Sequence, residues 1–402
     1  MREINSCEIC NAEKLESVLN LGSHPMCDDL VPIGDSRICE EFPIEIIYCS
    51  ACKTAHQRFQ ISKEKLFPQN YHYRSRHTAD VLHGMQDLVS ICIKNLGDLR
   101  NKKVLDIGCN DGSLLGFFRE KGANTFGIEP TGAYSDAKNS GHNVKQAYLT
   151  KTTAIEFVAQ YGHPDLITFT NVFAHIDDLK ETQKAINVLR HQETNIVIEN
   201  HYLGAILNKG QFDTFYHEHP RTYSYGSFRK IAENLDMHIS LAEFPSRYGG
   251  NIRVLLRPNI SVSEIRHYRE KEIASMESNF GNDFITLANT IKDWKKTKKR
   301  EISNSVKLYG PLVAKAFPGR AAIPVKMLGL DKRMVAAVYE KPSSDKIGHL
   351  VPGTNIPILS DASILQDQVM GSPILNFAWH IDQEIRNYMG DKGYLGAYIN
   401  II

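Results

Sequence analysis

Apolar and polar positions along the 402-residue chain fall into three regimes. Through residues 1–70 the apolar runs are short and alternating, as in EFPIEIIYC (41–49), and predict strands joined by turns. Through residues 71–258, apolar runs of strand length alternate with amphipathic stretches. KKVLDIGC (102–109) reads as a buried strand, and NDGSLLGFFREKG (110–122) as a turn and a helix. NTFGIEP (124–130), PDLITFTNV (164–172) and TNIVIEN (194–200) read as further strands, with HISLAEFPS (238–246) and NIRVLLRP (251–258) as an antiparallel pair at the edge. Strands alternating with helices predict an α/β domain whose parallel sheet is covered on both faces. Residues 259–402 open on two charged helical stretches, SVSEIRHYREKEIASM (261–276) and DFITLANTIKDWKKTKKREI (283–302). SVKLYG (305–310) then reads as a strand entering a turn, MVAAVYE (334–340) as another strand, and HLVPGTNIPIL (349–359) as a turn before a short apolar run, so a second α/β unit is expected.

Composition narrows the class. With 47 Lys and Arg against 46 Asp and Glu, nothing argues for coating nucleic acid or a membrane surface. No apolar run reaches the length of a spanning helix, and MREINSCEICNAEKLES lacks a signal-type apolar core, so a cytoplasmic protein is expected. In a reducing compartment clustered cysteines point to metal. Of eight cysteines, Cys7 and Cys10 form one C-x-x-C pair and Cys49 and Cys52 another, each in a turn-forming context. Two such knuckles can deliver four thiolates to Zn²⁺, closing the site and making its role structural.

VLDIGCNDGSLL (104–115) carries the cofactor signal. Asp106 ends a strand, and Gly108 and Gly112 lie in the following turn, where a missing Cβ lets backbone approach a ligand. The pattern is D-x-G-x-x-x-G, not the dinucleotide fingerprint. Glu129 closes the next strand and suits ribose hydroxyls, which are donors. This combination resembles the class I S-adenosylmethionine-dependent methyltransferases, with their Rossmann-like fold. The resemblance brings Asn110 into the cofactor turn, and Asn171 and His175 of NVFAHIDDL (171–179) toward the site.

Four features together narrow the resemblance: the paired C-x-x-C motifs; DIGCNDGSLL with GIEP; YHEH (216–219) after IENHYLGAILNKGQFDTF; and the tail motifs LYGPLVAKA, VPGTNIPIL and LNFAWHIDQEI. The whole chain resembles the nucleotide-sugar C-methyltransferases that place a methyl branch on C3 of a 4-keto-6-deoxy hexose. That resemblance implies a zinc-binding domain (1–70), an S-adenosylmethionine-binding domain (71–258) and a C-terminal α/β domain (259–402) that helps hold the nucleotide-sugar, on a dTDP or GDP carrier, in a monomer or weak homodimer. The chain departs from the family at Pro311, where a small residue is usual, near Ala316, where glycine is, and at YGGNIR (248–253), where His-Gly-Gly-Ser-Leu-Arg is common. These departures bear on sugar or nucleotide preference more than on reaction type.

Methyl transfer to carbon requires a carbanion, and a 4-keto group acidifies the C3 proton by delocalising charge onto its oxygen as an enolate. A base must remove that proton, and donors must meet the oxygen. His219 is the candidate base, since an imidazole is largely neutral near pH 7. Glu218 would orient it or bind a hydroxyl, and Tyr216 would donate to the enolate. By resemblance, these three match the family's active-site residues, His175 matches another active-site histidine, and Tyr71 or Tyr73 lies where the family has an acid tyrosine. His217 and His219 are two apart and diverge on either regular element, which disfavours a chelating pair and leaves His217 without a role. Arg253, Lys315 and Lys346 are the candidates for neutralising a diphosphate. Two rivals remain: an O- or N-methyltransferase acting on a related glycan precursor, and a zinc-ribbon binding protein on a methyltransferase-like scaffold.

Overall fold

The alternating N-terminal runs become an antiparallel sheet of Glu16–Pro25, Glu41–Cys49 and Thr54–Gln57 in a computed structural model that describes residues 1–67, 74–258, 266–367 and 369–402. Period-two placement buries Phe42, Ile44 and Ile46 on one face of the middle strand. A fourth strand comes from far along the chain: Arg221–Thr222 pairs with His56 and Ala55.

Seven strands form the central sheet, in the order Met237–Glu243, Asn251–Pro258, Asn195–His201, Leu166–Thr170, Lys103–Ile107, Asn124–Ile128, Asn143–Lys145. Pairing is parallel from Asn143–Lys145 through Asn195–His201, and Asn251–Pro258 runs antiparallel to both of its neighbours. Continuous apolar runs suit strands covered on both faces, and Val104, Leu105, Ile167, Phe169, Ile196 and Ile198 are all buried. The chain lays down strands outward from Lys103–Ile107 and then returns to its other side at Leu166–Thr170. That reversal opens a crevice beyond the carboxyl ends of those two strands, where ligands bind in open α/β sheets.

The tail forms a second, wholly parallel sheet in the order Ile358–Ser360, Val335–Glu340, Leu312–Lys315, Ile374–Asn376, Tyr398–Asn400. It too reverses beside its first strand. The strand expected at SVKLYG is the end of a 30-residue helix, Phe280–Tyr309. Ile302, Val306 and Tyr309 fall at helical spacing against the C-terminal core, and the helix stops only at Gly310 (φ +79°), whose N–H donates to the Val306 carbonyl. The same helix packs Phe280, Phe284, Leu287 and Ile291 into the core that the N-terminal and central sheets share. It therefore belongs to both cores rather than to the tail alone.

Candidate active site

The central crevice is a cleft of about 340 Å³. Asp106, Gly108, Asn110, Glu129 and Asn171 line it together with His175, His201, Tyr216 and His219. Gly108 is at φ +68°, and a Cβ there would stand 2.5 Å from the Val172 Cγ2 methyl, so only glycine leaves the floor of the crevice open. Glu129 is buried; its Oε2 accepts from the Asn110 N–H (2.9 Å) and its Oε1 from the Thr131 N–H (2.8 Å) and hydroxyl (2.7 Å). A carboxylate oxygen has two lone-pair sites, so the group retains capacity for a diol donor. Burial, aided by the neighbouring Glu129 charge, raises Asp106 to about 7, while the Thr168 hydroxyl donates to it at 2.7 Å. Gly112 (φ +79°) lies behind the lining, where its missing Cβ makes room for Ala137. An acceptor at the second strand end and a turn that opens on a glycine fit the ribose and backbone-facing edge of S-adenosylmethionine.

Three imidazoles meet at the inner end of the cleft. The His219 ring lies 4.8 Å from His175, 5.3 Å from His201 and 4.2 Å from the Tyr216 ring. His219 Nδ1 is 3.0 Å from the Thr214 carbonyl, which can only accept, so Nδ1 carries the proton and Nε2 keeps the lone pair. By the same reasoning His175 donates through Nδ1 to the Glu218 carbonyl at 2.8 Å. Burial lowers His175 to about 4 and His201 to about 3, and with the other two imidazoles pushes His219 well below its ordinary value. Burial and the Glu218 charge push Tyr216 well above its ordinary value, so it keeps its proton. Glu218 is buried outside the lining, and through its backbone it anchors His175.

The N-terminal unit walls this end of the cleft. Phe67 stands edge-on to His175 at 5.3 Å, and Lys63 lines the same side. His217 ties its loop to that unit, since its Nε2–H donates to the Phe42 carbonyl at 3.1 Å. Gln57 adds a side-chain bond to the Tyr216 carbonyl (3.3 Å), and Arg221 forms a buried ion pair with Glu8. Within YHEH, Tyr216 and His219 thus face the cleft while His217 faces the N-terminal sheet. In that unit Cys7, Cys10, Cys49 and Cys52 hold their sulfurs within 4.8 Å of one another, with Cys7 and Cys52 at 3.4 Å and Cys10 and Cys49 at 3.5 Å. Tetrahedral Zn–S bonds of about 2.3 Å require sulfurs about 3.8 Å apart, so the four cysteines fit Zn²⁺.

None of the three expected phosphate ligands lines the cleft, and two of them are held by buried acids. Arg253 is buried on Glu199 (2.6 Å), which also binds Arg247 (2.6 Å); the two guanidiniums reach the Gly84 and Val81 carbonyls. Lys315 is buried on Asp361 at 2.8 Å, and Lys346 reaches the Phe317 carbonyl at 3.0 Å beside Asp28. A charge consumed by a buried partner is not offered to a ligand. Tyr71 and Tyr73 lie outside the described residues. Sequence reasoning missed His201, at the end of a central strand, and Arg320 and Trp379 from the tail. The strand-end position of His201 was a usable signal, and Trp379 lies within the tail motif LNFAWHIDQEI; Arg320 sits in no recognisable spacing.

Three family models match consecutive parts of the chain: "Putative zinc binding domain" over residues 7–67, "Methyltransferase domain" over 76–239 and "C-methyltransferase C-terminal domain" over 246–398. A curated relative, C-methyltransferase NovU of Streptomyces niveus, is 25% identical over 369 residues, covering 90% of this chain and 86% of its own. Among solved structures, magnesium protoporphyrin IX methyltransferase from Synechocystis, with bound S-adenosylmethionine, is 15% identical, with a TM-score of 0.34 over 45% of this chain and 80% of that one. An S-adenosylmethionine-dependent methyltransferase from Clostridium acetobutylicum is also 15% identical, with a TM-score of 0.36 over 44% of this chain and 92% of that one.

Proposed function

From the premise that the chain belongs to the S-adenosylmethionine-dependent C-methyltransferases with an N-terminal zinc-binding domain, we propose that it methylates C3 of a nucleotide-linked 4-keto-6-deoxy sugar, with His219 as general base. Bound S-adenosylmethionine supplies an electrophilic methyl group. The observation that carries the reading is the fixed tautomer of His219: with Nδ1–H spent on the Thr214 carbonyl, Nε2 is the basic nitrogen beside Tyr216 in the cleft. Nε2 takes the C3 proton, and the charge left behind moves onto the ketone oxygen. Tyr216, held in its protonated form, is suited to donate to that oxygen. Burial of the imidazole keeps it neutral well below pH 6.5, so the base is available across a wide range. Phe67, Tyr216 and the apolar wall limit water near the enolate, which would otherwise be protonated before it reacts.

Without Arg253 and Lys315, the diphosphate reading retains Lys346 alone of the three sequence candidates. The test is incorporation of deuterium at C3 in deuterated water, with dTDP- and GDP-linked 4-keto-6-deoxy sugars as probes and product mass as the second readout. His219→Gln is expected to lower exchange and methylation together by about 10²–10⁴-fold. Methylation of a heteroatom, with no carbon-bound exchange, would instead identify an O- or N-methyltransferase.

A further inference from the structure

We propose that the C-terminal domain sets the tautomer and orientation of His219 through a buried clamp of Arg320 and Trp379 on Asp213. This rests on the reading of His219 as the base. The FDT turn, Phe212–Thr214, leads directly into YHEH, and both Asp213 and Thr214 are buried. One carboxylate oxygen of Asp213, Oδ2, accepts from Arg320 Nε at 2.9 Å and from the Trp379 indole N–H at 3.0 Å. Arg320 also reaches the Thr214 hydroxyl at 3.4 Å, and its guanidinium lies 5.4 Å from the Trp379 ring. The Thr214 carbonyl is the partner of His219 Nδ1.

The two donors come from separate places in the second sheet. Arg320 sits in the turn after its first strand, and Trp379 follows Ile374–Asn376, the strand on the other side of the reversal. The crevice of the C-terminal sheet therefore grips the residues immediately before the catalytic motif in the central one. Loss of the grip frees Thr214 to turn its carbonyl away. His219 Nδ1 then loses its acceptor, both tautomers become populated, and the basic nitrogen is no longer fixed toward the cleft. Arg320 and Trp379 are positioning residues, acting through Asp213 and Thr214. Arg320 has a second effect that Trp379 lacks. Its charge, with His175 from the Phe173–His175 turn and His201 from the strand end, disfavours protonation of His219; Tyr216 faces it from its own loop, and Glu218 is its chain neighbour.

The full chain labelled with ¹⁵N-histidine gives a readout that needs no sugar. Long-range proton–nitrogen spectra, with His219→Gln identifying the resonance, should show His219 as the Nδ1–H tautomer in the wild type and as a mixture in Arg320→Gln and Trp379→Phe. With a turned-over 4-keto-6-deoxy nucleotide-sugar, both variants should lose about 10- to 100-fold in kcat and in C3 exchange while binding S-adenosylmethionine within twofold of wild type. Arg320→Gln should also move the acid limb of the kcat/KM profile upward toward pH 6.5, and Trp379→Phe, which keeps the charge, should not. Arg320→Lys, which also keeps the charge, guards against a folding defect and should leave the acid limb in place. An unchanged tautomer with exchange within twofold of wild type in both variants, when His219→Gln has abolished exchange, overturns the clamp and leaves the base standing. Full exchange in His219→Gln overturns the base and the clamp with it.

Discussion

The molecule holds two sheets that both reverse beside a first strand paired in parallel on each side, and the cleft lies at the reversal of the central one. Each also has an acid at the end of its second strand, capping the turn that follows the first. Glu129 accepts from the Asn110 N–H at 2.9 Å, and Glu340 accepts from the Phe317 N–H at 2.5 Å. The turn itself differs. In the central sheet it begins at Gly108 (φ +68°), where no Cβ covers the cleft floor, and runs through Cys109, Asn110 and Asp111 to Gly112; in the C-terminal sheet it begins at Ala316 (φ +62°) and continues through Phe317 and Pro318 to Arg320. Topology and a strand-end acid are thus not enough to make a cofactor site. The first residue of the turn must also lack a Cβ where the ligand approaches. Where a side chain stands at that first position, as Ala316 does, the crevice can grip a neighbouring domain.

The strongest way to break this contrast is to give the central turn the side chain that the other already has. Gly108→Ala places a methyl 2.5 Å from the Val172 Cγ2 and forces alanine into the left-handed region. It should weaken S-adenosylmethionine binding by about 100-fold, near 2.7 kcal/mol, by calorimetry. Acid tests the seam between the sheets, where His175, His201, His217, His219 and, from the tail, His380 are all held below the ordinary histidine value. Unfolding restores a value near 6.5, so the unfolded chain binds more protons below that pH. Stability should be level above about pH 7 and fall as pH drops from 6.5 toward 4, by up to about 1.4 kcal/mol per pH unit for each histidine that charges on unfolding. A melting temperature flat from pH 7.5 to 5 would contradict the burial of these rings. Glu129→Ala should cost about tenfold in cofactor affinity. Glu340→Ala should leave that affinity alone and lower only the melting temperature. The smallest effect sharpens the contrast from the other side. Ala316→Gly relieves a left-handed alanine and should raise stability by about 0.5–1 kcal/mol without altering cofactor binding.

Local chemistry was legible in the sequence and long-range contact was not. The cysteine pairs and the Asp106, Gly108 and Glu129 constellation each declare themselves within a few residues, because their spacing is imposed by a metal or a turn. The Phe280–Tyr309 helix was cut short because SVKLYG contains β-branched and aromatic residues. Those positions face a core formed by strands that follow it, and tertiary packing outweighs the local preference. His217 had no role until Phe42, 175 positions earlier, supplied an acceptor. Arg253 and Lys315 were misassigned because a basic residue in a sequence does not reveal whether a buried acid already holds it. Arg320 and Trp379 reach Asp213 across 107 and 166 positions, and no period or motif encodes that meeting.

The pairing of Arg221–Thr222 with Thr54–Gln57 has a consequence for biosynthesis. The cysteines are complete once Cys52 is made, so the metal site can close early on the ribosome. Thr54–Gln57 would then be the outer strand of its sheet until residue 222 follows, a wait of about 8–33 s at roughly 5–20 residues per second. During that interval four residues destined for burial present unpaired backbone groups to any other nascent chain. A slow stretch of translation between residues 57 and 222 would lengthen the exposure, so soluble yield in an expression host should depend on codon speed there more than in the tail.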